Sequence, residues 1–188
     1  MSMIFELRRV SEEQAESLTQ DPSDIFFFLS GSEPYEPPKP FFKRLFAPKQ
    51  SAKPVRHWDE PAQGSVLELD TNWHVIHYFL TRTTWETNLP QGSLMGGIQL
   101  GDVDVGYGPA RLLTPRQIDE FLAFLEYLQS DNFGSDITGE ELEQNEIYGG
   151  YAGWNAEDTS KLWGYVEELK LFLAAAKHNR ESIVMHLF

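Results

Sequence analysis

Two histidines, His74 and His77, stand three positions apart in the segment Leu69 to Thr81. A metal site would need them one helical turn apart on one face, with a third ligand from elsewhere. The sequence contains no His-Glu-x-x-His. Trp73, Ile76, His77 and Leu80 fall at i, i+3, i+4 and i+7, the spacing of one apolar helix face, with His74 beside it. His77 therefore reads as a core histidine, hydrogen-bonded through one nitrogen. Imidazole also titrates near neutral pH, so a general-base role is open to it, although spacing names no partner. No metal ion and no cofactor are expected.

Other motifs fall short of chemistry. Gly106-x-Gly108 begins like a dinucleotide fingerprint, but Arg111 stands at the third glycine position and Pro109 removes a donor that a phosphate would need. A tight turn is the simpler reading. Arg111, close to Tyr107, can grip a carboxylate or phosphate with two parallel hydrogen bonds. It can equally brace the acidic part of its own chain, and bracing is the preferred reading. Asp131 to Asp136 lacks the glycine position of a calcium loop. Gly92 to Gly96 lacks the spacing of a nucleophile elbow.

Charge is the strongest compositional feature. The 188 residues carry 15 Lys+Arg against 29 Asp+Glu, a net charge of −14, and no cysteine. The missing thiols exclude a disulfide framework, a zinc–thiolate site and a thiol nucleophile. The acidic balance argues against a nucleic-acid partner. Between Arg116 and Lys161 stand 11 acids and no Lys or Arg. Lys39 to Arg56 is the opposite, with six cations and no acid. The amino terminus has no signal-peptide pattern and no apolar run approaches a membrane span, so a cytoplasmic protein with no membrane partner is expected.

The elements that must position these residues are readable in outline. Met3 to Val10 alternates as a half-buried strand. Ser11 to Gln14 is a capping box opening a helix to about Thr19, and Asp21-Pro22 restarts it. Residues 31–61 hold seven of the 11 prolines and read as a basic loop, with Phe41-Phe42 and Leu45-Phe46 as a hydrophobic knot. Asp70 caps a helix to about Thr81. Ile98 to Val105 and Ala110 to Leu113 read as strands with turns at Gly101-Asp102 and Gly106 to Pro109. Thr114 to Gln117 is a second capping box. Gly139 to Glu146 reads as a short acidic helix and Ala156 to Lys177 as a long one, with a last strand at Ile183 to Met185. The class expected is α+β: one domain over residues 1–188, a small, mostly antiparallel sheet packed with several helices, and one long proline-rich loop.

Several stretches together resemble the YfbM-like family of small bacterial proteins, built on a domain of unknown function. Leu69-Asp70-Thr71-Asn72-Trp73-His74-Val75-Ile76-His77-Tyr78-Phe79-Leu80-Thr81 is similar to its Asp-x-x-Trp-x-x-x-His-x-x-Leu-Thr helix. Gly96-Gly97, Gly106 to Pro115, and Ile147-Tyr148 ahead of a long helix are similar too. At that tyrosine the chain departs from the family pattern, with Gly149-Gly150 intervening before Trp154. The resemblance implies a compact α+β fold and no established activity, cofactor or substrate.

Two functional readings follow. The first is a non-enzymatic protein-binding module, immunity- or antitoxin-like in its concrete form. It would use Glu140, Glu141 and Glu143, or Phe41 and Phe42 of the arm, against a protein partner. The second is a small-ligand-binding protein or enzyme with a pocket of Trp73, His77, Tyr107, Arg111 and Tyr148.

Overall fold

The computed structural model describes residues 2–33 and 57–188. Its centre is a five-stranded antiparallel sheet in the order β2-β1-β5-β4-β3. The strands are β1 (Phe5–Val10), β2 (Val66–Glu68), β3 (Ile98–Asp104), β4 (Pro109–Leu113) and β5 (Ser182–Leu187). The helices are α1 (Glu12–Gln20), α2 (Ile25–Ser30), α3 (Trp73–Thr81), α4 (Pro115–Glu126), α5 (Gly139–Gln144) and α6 (Ala156–Asn179). This is the α+β class expected.

Alternation along the strands divides the core into two clusters. Phe5, Leu7, Leu113, Ile183 and Met185 face one way and pack with residues of α3, α4 and α6. Val10, Leu100, Ala110, Leu112 and Val184 face the other way, against Ala15 and Leu18 of α1 and Ile25 of α2. The sheet is therefore a middle layer with helices on both faces, which hides apolar strand surface from water on each side.

Local signals fix most boundaries. Ser11 Oγ accepts the Gln14 amide and Gln14 Oε1 accepts the Ser11 amide, a reciprocal cap on α1. Thr114 and Gln117 do the same for α4, and Asn155 and Asp158 for α6. Asp21-Pro22 does not restart a helix directly. It opens a 3-10 turn, Pro22–Asp24, which leads into α2. Asp70 is likewise not the cap of α3. It has a φ of 49° and starts a second 3-10 turn, Asp70–Asn72, and no side chain caps the helix that follows.

Helix α3 departs from its expected one-sided pattern. Every residue from Trp73 to Leu80 is buried, because the helix packs under the sheet and is also covered by the loops that follow it. A helix enclosed on all sides needs polar side chains on it to find partners within the protein.

Strand β2 is absent from the expected elements. Its three residues pair with Glu6 to Arg8, too short a stretch to show a period. It follows the segment 34–56, which lies outside the described residues, as does the knot at Phe41-Phe42 and Leu45-Phe46. The described ends of that segment meet at one point. The Phe28 carbonyl accepts from Arg8 Nη1 at 2.8 Å and from Trp58 Nε1 at 3.2 Å. Gly31, with a φ of 69°, lies under the Trp58 indole, where a Cβ would stand 2.8 Å from Cδ2. Among the described residues no helix is long and apolar enough to cross a membrane.

Candidate functional site

The α3 cluster comes first, because it holds three of the five expected pocket residues. Trp73 stacks on His74 at 4.8 Å and on Tyr148 at 6.3 Å, measured between ring centroids. Trp85, mostly exposed, lies over His74 at 4.7 Å. Tyr148 is anchored by its own polar ends. Its hydroxyl accepts from the Met3 amide at 2.9 Å, and its backbone amide donates to His74 Nδ1 at 3.0 Å. With Nδ1 accepting, Nε2 carries the ring proton and donates to the Thr84 carbonyl at 3.1 Å. His74 is thus the histidine held by hydrogen bonds, through both nitrogens, and it ties two loops to α3.

His77 is the core histidine expected, but without the expected hydrogen bond. It has no exposed surface, and among the described residues neither ring nitrogen meets a hydrogen-bond partner, nor does Trp73 Nε1. Burial, reinforced by the neighbouring His74, pushes the His77 pKa down to about 4, with Glu86 opposing weakly. Burial also lowers His74, against the favourable Thr84 carbonyl. At neutral pH both rings are uncharged, as an enclosed imidazole must be.

Tyr107 and Arg111 belong to the β3–β4 hairpin. Tyr107 is exposed at the turn. Arg111 does brace its own chain, but not through an acid. Its Nε donates to the Gly96 carbonyl at 2.8 Å and Nη2 to the Gly97 carbonyl at 3.2 Å, fastening the end of the 82–97 loop to β4. Trp73 and His77 are sealed, so they line no opening through which Arg111 could share a ligand with them. The structure brings Trp73, His77 and Tyr148 into one packed cluster and gives Arg111 and Tyr107 separate surroundings. Among the described residues, no group of three or more His, Asp or Glu is placed to hold a metal ion.

The acidic segment is the more open region. Glu140 and Glu143 of α5 are exposed, as are Glu146 and Asp131 on the flanking loops. Glu141 is turned inward and accepts the Tyr78 hydroxyl at 2.7 Å. Burial, with that bond, pushes the Tyr78 hydroxyl up to about 12. Helix α5 is fixed by three further contacts. Thr138 Oγ1 accepts the Glu141 amide, Leu142 is fully buried, and a Cβ on Gly139 would stand 2.3 Å from the Ala152 carbonyl oxygen. The expected surface residues Phe41 and Phe42 lie outside the described residues.

The loop 130–137 and the first turns of α6 line an open cleft of about 460 Å3. Its aromatic lining is Phe133, Trp154 and Trp163, and its polar lining includes Ser130, Ser135 and Ser160. Among the described residues, Asp131 is its charged lining side chain. Phe133 meets Phe79 and Trp163, each at 5.2 Å between centroids. Gly134 presses against Phe79 with a φ of 66°, where a Cβ would fall 2.1 Å from Cε2. Trp154 Nε1 donates to Thr159 Oγ1 at 3.0 Å. None of these lining residues was expected from sequence as a site. The available signal was aromatic residues set within a stretch of acids.

With this arrangement, the comparison with known proteins decides the family. The model described as "Domain of unknown function (DUF1877)" matches residues 1–186. The chain belongs to the DUF1877 family. A crystal structure of a protein of unknown function, YfbM from Escherichia coli, shares the fold with a TM-score of 0.62 at 17% identity. The match covers 98% of this chain and 99% of that one. No curated protein matches. The DUF1877 domain thus has an architecture without an assigned activity, and the similarity to YfbM speaks to fold alone.

Proposed function

We propose that this DUF1877 protein is a non-enzymatic binding module whose acidic face, centred on α5, engages a cationic protein partner. The observation that carries the reading is the fixed display of Glu140, Glu143 and Glu146. Their neighbour Glu141 is spent on Tyr78, and the backbone beneath them is held by Leu142, Gly139 and the Thr138 cap. Carboxylates on a rigid support lose little freedom when a partner docks, and a field of one sign speeds the encounter. An immunity- or antitoxin-like role, covering the basic surface of a target, is the concrete form of this reading.

A matched pair of charge reversals tests it. E140K/E143K/E146K and E12K/E13K/E16K change net charge equally, one on this face and one on the exposed side of α1. A capped peptide of alternating glycine and arginine is titrated into each by calorimetry. The α5 triple should bind about tenfold more weakly than the α1 triple. Equal weakening would mean diffuse attraction to a −14 protein and would overturn the reading.

A further inference from the structure

Resting on that reading, we propose that the cleft between Trp154 and Trp163 is an anchor site for an arginine side chain of the cationic partner. The cleft volume, about 460 Å3, lies in the range of built ligand sites. Its lining has two chemistries. Trp154 and Trp163, both half-buried, offer π surface over a floor of buried Phe133, and Ser130, Asp131 and Ser160 offer oxygen acceptors. A guanidinium is the group that uses both. Its planar face stacks on aromatic rings, and its five N–H donors need acceptors around the edge. An ammonium makes poorer use of a flat wall because its hydration shell is held more tightly. An anion would meet Asp131 and a region dense in carboxylates.

The walls are set before any ligand arrives. Gly134 against Phe79 fixes the loop, and Phe133 wedges between Phe79 and Trp163. Trp154 spends its N–H on Thr159, which leaves the ring and not its polar edge for contact. Asn155 and Asp158 close the first turn of α6 on each other, and Asp158 also accepts the Tyr151 hydroxyl at 2.8 Å. Three cations of the same half of the chain are already paired: Arg82 with Asp136, Lys161 with Glu157 and Lys170 with Glu167. Lys170 Nζ also lies 4.3 Å from the Trp163 ring centroid, so this ring holds a cation of its own chain with the charge offset by Glu167. Arginine and tryptophan are the residue types most enriched at binding hot spots.

The test follows the indole N–H signals of Trp154 and Trp163 by NMR. The probes are Nα-acetyl-arginine methylamide and its citrulline analogue, a neutral near-isostere. The arginine probe should shift both indoles, and the citrulline probe should bind about tenfold more weakly. Asp131→Asn should weaken the arginine probe about threefold, the scale of one exposed ion pair. Ser160→Trp, placed on an exposed rim position, should abolish the shifts while the rest of the spectrum stays folded. Equal binding of the two probes, no shift at either indole, or wild-type binding by Ser160→Trp would each overturn the anchor. If the anchor fails while the two triple reversals still differ toward the glycine–arginine peptide, the acidic face stands without it. If the probe seats in the cleft while those triples do not differ, the acidic-face reading is the one that falls.

Discussion

The backbone amide of Tyr148 donates to His74 Nδ1 at 3.0 Å, across 74 positions of sequence. This one bond fixes the His74 tautomer, directs its Nε2–H to Thr84, and ties the acidic segment to α3 just after α5. His74→Phe keeps the ring packing against Trp73 and Trp85 but strands the Tyr148 amide and the Thr84 carbonyl. The expected loss is about 2 kcal/mol, the cost of unsatisfied polar groups. Urea denaturation at pH 7 reads it directly, and an unchanged midpoint would show that the bond carries no stability.

The histidines also set a pH limit. His77 and His186 are both held near 4, chiefly by burial, with repulsion from a protonated His74 and from Arg8 as the respective lesser causes. Their folded pKa values lie below the unfolded value of about 6.5. The unfolded chain therefore binds more protons as pH falls, so stability is complete above about pH 6.5 and declines toward pH 4. Each histidine contributes a slope of at most about 1.4 kcal/mol per pH unit in that window. Glu6 acts in the opposite sense, because burial raises its pKa and protonation relieves a desolvated charge. His77→Phe should flatten the fall in urea midpoint between pH 6.5 and 4. A wild-type and variant pair with parallel profiles would contradict the assignment.

The cleft wall depends on one residue without a side chain. Gly134→Ala would place a methyl group on the Phe79 ring at a φ of 66°. Backbone strain and overpacking together should cost about 2–4 kcal/mol. Thermal unfolding gives the size, and the Trp154 and Trp163 indole signals should move with it. A variant as stable as the parent would mean that the loop is not held against α3.

What sequence could show was local. The Ser11–Gln14 and Thr114–Gln117 boxes each satisfy their bonds within four residues, so the pattern alone reveals them. The alternation of β1 is legible for the same reason, although the strand is buried on both faces and not half-buried as its pattern suggests, because helices cover each side of the sheet. Strand β2 exists only through its pairing with Glu6 to Arg8, and nothing in Val66-Leu67-Glu68 announces it. His77 is in the core as its spacing indicated, but the hydrogen-bonded ring is His74, because helical spacing describes one face while α3 is covered on every side. His74 finds its partners in Thr84 and Tyr148, neither of which spacing can locate. Arg111 was readable as a brace, though its partners are carbonyls, which carry no sequence signature. The cleft was invisible because Phe133 meets Trp163, and Trp154 meets Phe79, only through the fold.

The central claim is that the acidic segment is the recognition surface. A map of backbone amide shifts during titration with the glycine–arginine peptide tests it most directly. Shifts confined to residues 130–163, with the largest around Glu140, Glu143 and the two indoles, are the predicted result. Shifts spread evenly over all acidic surfaces, or centred on α1 and β3, would contradict it.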